Sequence, residues 1–187
     1  MYAARTFSPF SPTLGAWLCL FFQAEKYARI TEFGCGLGWY LRMLRDDGFT
    51  NVVGIDEGAP LERELTLRGA HLSVQRLRER SFDTIITRRL GYPLVSHVRG
   101  HAIALDTNKL VAPDREPTLL ENLRGGVELG KALVVSWDDR ARRDVPLLFR
   151  GYGFDVLEEP TRSARSVITD GDCPWFRTTL HVMRKVR

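Results

Sequence analysis

The chain has 187 residues, 44% of them hydrophobic, which suits one domain with a single core and leaves too little for two. Its net charge is +4, with 23 arginines and 4 lysines set against 23 acids; so even a balance excludes binding to a polyanion by overall charge alone, although arginine suits phosphate and carboxylate where it clusters. Three cysteines, Cys19, Cys35 and Cys173, are widely spaced without a C-x-x-C pair, which speaks against a disulfide framework or a zinc site and fits a reducing, cytoplasmic compartment.

Taken in chain order, the most apolar stretch is "LGAWLCLFF", residues 14–22. Nine residues fall well short of the roughly 20 that a spanning helix needs, and no small-residue cleavage site follows, so the segment is expected as a helix covering a sheet, with no membrane span, a signal anchor being the alternative. "ARITEF" then reads as a short buried strand with Glu32 near its C-terminal tip. Glycines follow at 34, 36 and 38. Each costs roughly 0.5–1 kcal/mol relative to alanine inside or beside a regular element, so their alternation needs a geometric reason, and close approach of backbone to a ligand is the usual one. Beyond them Leu37, Tyr40, Leu41 and Leu44 stand at i, i+3, i+4 and i+7, a helical stripe, and Gly48 sits where a left-handed cap would end the helix. "NVVGID" then predicts a second strand ending in Asp56. A right-handed β-α-β crossover brings Asp56 to the same edge of the sheet as the glycine turn. Such a turn, a helix N-terminus and an acid able to accept both ribose hydroxyls form a nucleoside site. The dinucleotide fingerprint is G-x-G-x-x-G, whereas here the order is E-F-G-C-G-L-G; this spacing, with no Tyr-x-x-x-Lys pair, disfavours an NAD oxidoreductase.

"EFGCGLG" followed by "VGID" resembles the first two motifs of the class I S-adenosylmethionine-dependent methyltransferases. The resemblance implies S-adenosylmethionine as cofactor, with Glu32 near its amino-acid end, Gly34, Cys35, Gly36 and Gly38 passing beneath it, and Asp56 on the ribose. "EFGCGLGWYLRMLRDDGF", "VVSWDD" and "PWFRTTLHVMRK" are also similar to a set of animal methyltransferase-domain proteins. It covers most of the chain, concentrated at these three places, and implies a strand order of 3-2-1-4-5-7-6.

Further along, residues 60–70 have a helical pattern and "HLSVQRL" is a short strand candidate whose tip offers Gln75, able to hydrogen-bond an adenine amine. "SFDTIIT", residues 81–87, matches the family's central fourth strand in position. Residues 88–117 have poor periodicity and contain Pro93, Pro113 and Pro117, which reads as an irregular insertion. "TLLENLRGGVEL" is a helix with Thr118 as cap and Glu121 at the capping-box spacing. "KALVVSW" is a buried strand, "ARRDVPLLFRGYG" a helix weakened by Pro146, and "FDVLEE" and "TTLHVMRK" two final strands. The alternation predicts an α/β fold, a doubly wound, mostly parallel seven-stranded sheet with an antiparallel edge strand, over a single domain of residues 1–187.

Methyl transfer from a sulfonium needs donor and acceptor aligned within about 3–3.5 Å and water excluded, so a dedicated base is optional. Acceptor groups belong beyond the C-terminal ends of strands four and five. There the sequence offers Tyr92, within Gly91-Tyr92-Pro93 where the animal set has an acid and a histidine, and Asp138, which either orients an acceptor or caps the next helix. Trp39, Trp137 and Trp175 either wall the pocket or fill the core. Arg76, Arg78, Arg80, Arg88 and Arg89 flank the 81–87 strand and admit an anionic substrate or a nucleic acid. His97 and His101 have the i, i+4 spacing of metal ligands but lack the H-E-x-x-H glutamate, so they are read as surface histidines and no metal site is expected. The acceptor is not legible. The alternative to an enzyme is a catalytically silent domain of the same fold, serving as a binding or assembly module.

Overall fold

The computed structural model describes residues 12–35, 38–56, 83–86, 99–105, 116–138, 144–169 and 178–187. Helix α1 (Pro12–Phe21) leads through a turn of 3-10 helix (Gln23–Glu25) into β1 (Ile30–Phe33), followed by α2 (Trp39–Asp46) and β2 (Val52–Asp56). Then come β3 (Asp83–Ile86), β4 (His101–Ala104), α3 (Glu116–Gly126), β5 (Ala132–Asp138), α4 (Val145–Gly151), β6 (Phe154–Val156), α5 (Glu158–Thr169) and β7 (Thr178–Lys185). The strands form one seven-stranded sheet in the order β3-β2-β1-β4-β5-β7-β6. β7 is antiparallel to both β5 and β6, and the other pairs are parallel.

Every residue of β1 and of β4 is buried, as expected of central parallel strands covered on both faces. Successive side chains go to opposite faces, and the core divides accordingly. Ile30, Ile103, Val134 and Val182 pack with Leu14 and Leu18 of α1, Phe22 just after it, and Leu41 and Leu44 of α2. Phe33, Ala104, Val135 and Met183 pack on the other face with Leu119, Leu123 and Phe149 from α3 and α4. Phe149 meets Phe154 edge to face, ring centroids 6.1 Å apart. Burial of each such side chain contributes about 1.5–3 kcal/mol.

Helix α1 covers the sheet as its apolar run predicts, although Leu20 points outward at 75% exposure. Among the described residues no helix is long and apolar enough to cross a membrane.

Five expectations are corrected. The sequence reading makes residues 81–87 the central fourth strand; the structure makes Asp83–Ile86 β3, pairing with β2 at the sheet edge. The central position belongs to His101–Ala104, between β1 and β5, inside the stretch 88–117 expected to be irregular. "DTII" and "HAIA" are equally short and apolar, and only pairing with distant segments separates them. His101, read as a surface histidine, is buried at 5% exposure. Helix α3 begins at Glu116, so Thr118 lies within it and is no cap. "FDVLEE" is a strand only through Val156; Glu158 and Glu159 form the acidic first turn of α5.

Candidate functional site

β1 and β2 lie parallel with Phe33 opposite Ile55, so the chain leaves β1 at Gly34 beside the last residue of β2, Asp56. The turn is pinned by one carbonyl: Ile55 O accepts the amides of Gly34 at 2.8 Å and Cys35 at 3.2 Å. Gly38 N then donates to Cys35 O at 2.7 Å, and Gly38 O accepts the amide of Arg42 at 2.8 Å. Gly34 has φ +69° and Gly38 φ +71°, the left-handed region that glycine enters without steric penalty. Gly38 is also the N-cap of α2 and brings no side chain to its first-turn amides. A helix leaves those N–H groups without an internal partner, so the turn presents main-chain donors to whatever lies above it.

Behind the turn, Glu32 is 3% exposed and stands opposite Gly54 of β2 and Ile103 of β4. A carboxylate so enclosed is retained against its desolvation cost only where it meets donors or positive charge. Gly36 lies outside the described residues, and of Asp56 the structure describes the backbone.

Gly54 belongs to the site although its sequence context drew no attention to it. A Cβ there would lie 2.5 Å from Cys35 Sγ and 3.0 Å from Leu41 Cδ1. Its bare backbone lets the buried Cys35, and with it the turn, fold back onto β2. The available signal is a glycine inside a β-branched strand, which marks close approach of another segment.

Along the same edge of the sheet, Ala104 of β4 is level with Phe33 and with Val135 of β5. β5 runs on to Asp138, three residues or about 10 Å further, as a wall beside the end of β4. Asp138 is paired in the strand with Thr178; α4 is capped by Asp144, whose Oδ1 accepts the amide of Leu147 at 3.0 Å. Tyr92 lies outside the described residues, and the chain leading to it leaves β3, so it does not follow strand four. The residues following β4 are Leu105 and, in the sequence, Asp106. Gln75 and the five clustered arginines also lie outside the described residues, and the tip of β3 is Ile86.

No group of three or more histidines, cysteines or acids able to hold a metal ion occurs among the described residues. His101 Nδ1 accepts the amide of Ala132 at 2.9 Å, which commits it to the sheet. Cys19, half-buried, has its thiol pushed up by burial and by the nearby carboxylate of Asp47, partly offset by Lys26, which makes it a poor nucleophile at neutral pH.

The sheet order and the turn define a Rossmann-like methyltransferase fold. Structures that share it include an S-adenosylmethionine-dependent methyltransferase from Thiobacillus denitrificans in complex with S-adenosyl-L-homocysteine, 16% identical over 98% of this chain and 95% of that one, TM-score 0.61. The CcbJ methyltransferase from Streptomyces caelestis is 14% identical over 97% and 92%, TM-score 0.63. Magnesium protoporphyrin IX methyltransferase from Synechocystis, solved with S-adenosylmethionine bound, is 12% identical over 92% and 77%, TM-score 0.62. No protein-family model and no curated protein matches the sequence.

Proposed function

We propose that this chain is an S-adenosylmethionine-dependent methyltransferase whose cofactor lies across the C-terminal edge of β1 and β2. The observation that carries the reading is the turn: two left-handed glycines, an uncapped helix N-terminus and a buried acid converge where Asp56 ends the neighbouring strand. Gly34, Cys35, Gly36 and Gly38 pass beneath the cofactor, Glu32 serves its amino-acid end, and Asp56 accepts the ribose hydroxyls. The bound cofactor supplies the activated methyl group; the chain's task is alignment and exclusion of water. With β4 now at 101–104, the acceptor side is formed by the residues after Ala104, Asp106 among them, and by Asp138. The clustered arginines support an anionic acceptor, a nucleic acid included. The reading also takes residues 1–187 as one cytoplasmic domain akin to the animal methyltransferase-domain set.

Calorimetric titration with S-adenosylmethionine, S-adenosylhomocysteine and NAD tests this. Micromolar binding of the first two and none of NAD is expected, and Asp56→Ala weakens that binding at least about tenfold, or about 1.4 kcal/mol, through lost charge-assisted hydrogen bonds. Unchanged affinity in the variant removes Asp56 from the site. No binding by the parent chain leaves a fold without its cofactor, the silent-module alternative.

A further inference from the structure

The edge of the sheet opposite the glycine turn holds a cleft of about 480 Å3, between the N-terminal ends of β1 and β4 and the loop entering β5. Arg29, Arg99 and Lys131 line it, with Glu25, Glu128 and Tyr27. Glu25 is already held by Lys131 at 2.9 Å, which leaves two guanidinium groups facing one free acid, Glu128.

Neither Arg29 nor Arg99 has a side-chain ion pair among the described residues, and Arg29 Nε is buried without a hydrogen-bond partner. A donor taken out of water and left unmet is destabilising. The backbone holds a second cost at the same place. Arg99 has φ +54°, the one positive φ at a non-glycine residue among those described. It precedes Gly100 at φ +135°, where a Cβ would lie 2.3 Å from Arg29 O. Left-handed backbone at a long side chain is strained, and such outliers cluster at ligand sites. Glycine or asparagine would ease the strain at 99, and arginine stands there instead.

The larger cleft, about 570 Å3 beside α3 and the end of β7, differs in that its cations are engaged. Arg124 pairs with Glu121, Lys185 donates to the Arg124 carbonyl, and Arg187 donates to the Arg150 carbonyl at 3.2 Å.

From the two arginines that line it without an ion pair and the strained backbone at Arg99 we propose that the cleft below the sheet is a second ligand site, which takes a small phosphate monoester. Two planar guanidinium forks match a tetrahedral dianion. Tyr27, 85% exposed at the rim, offers a ring face to the group that the phosphate carries. The site is independent of the cofactor reading, and its test uses no methyl transfer.

The experiment is an amide NMR titration of the full chain at fixed ionic strength with phenyl phosphate, inorganic phosphate and acetate, and separately with a short single-stranded oligonucleotide. Saturable shifts at Arg99, Gly100 and Lys131 are expected with the first two, phenyl phosphate binding several-fold tighter. Arg99→Gly is expected to weaken phenyl phosphate at least fivefold while its melting temperature holds or rises, since glycine accepts the left-handed conformation. Arg29→Gln gives the same loss of binding. Wild-type affinity in either variant overturns the proposal. So does a response to acetate equal to that to phosphate, the absence of saturable shifts, or an oligonucleotide that binds through these arginines more tightly than the monoester.

Discussion

His101 joins two strands through its ring. Its Nδ1 takes the Ala132 amide at 2.9 Å, tying the start of β4 to the start of β5, and its face meets Phe22 edge on at 5.2 Å. Burial holds the imidazole below its ordinary 6.5, the Lys131 ammonium lowers it further, and Glu25 offsets part of this. The folded chain therefore prefers the neutral ring, whereas the unfolded chain takes a proton near the ordinary value. Stability from this residue is complete above about pH 6.5 and drains as the pH falls through the lower folded value. Glu25, depressed chiefly by its hydrogen bond from Lys131, contributes in a separate window: present above the ordinary carboxylate range, lost as the pH falls through the lower folded value. Melting temperature is thus expected to fall between about pH 7.5 and about pH 5. His101→Asn, whose amide oxygen can replace Nδ1 as acceptor, should lower it at the upper pH but flatten the slope. A slope as steep as that of the parent would place the titration elsewhere.

The contact between the glycine turn and β2 is an exchange of volume: Gly54 gives up a side chain and Cys35 occupies the space. Gly54→Ala is expected to destabilise the fold by about 1–3 kcal/mol through overpacking and to weaken S-adenosylmethionine binding with it. Cys35→Gly in the same chain should restore both. If the double variant binds no better than Gly54→Ala alone, the defect does not travel through Cys35. This unit was the legible part of the chain, because the alternating glycines and the stripe through Leu41 and Leu44 carry their reasons locally. β4 was not: four residues, His101–Ala104, owe their burial to β1 and β5, which no local period encodes. Helix α5 has no strong apolar stripe in the sequence because it buries small groups, Thr161 and Ala164, with Val167 partly covered beside Leu157, which precedes the helix. Pro146 looked like a defect in α4, but the helix starts at Val145, where the first turn needs no amide from proline. Glu32 lies in β1 and Gly34 in the turn after it, as the strand–turn–helix pattern leads one to expect, whereas Tyr92, expected after the fourth strand, follows β3 in the chain.

Two apolar layers share one sheet, and β1, β4 and β5 contribute alternate side chains to both. Neither layer can come apart alone without exposing one face of the same strands. A single cooperative transition is therefore expected in denaturant, with coincident midpoints from far-ultraviolet circular dichroism and tryptophan fluorescence. Two separated midpoints would divide the chain into independent units. β7, last of the strands in chain order, lies between β5 and β6 and bonds to both. On the ribosome, β5 emerges well before the strand that will close its side, and until then its amides and carbonyls form an open edge that another nascent chain can pair with. The interval between synthesis of Asp138 and of Thr178 is thus the period of greatest exposure to aggregation, and slow translation across it would lower the yield of folded protein without altering one contact of the finished molecule.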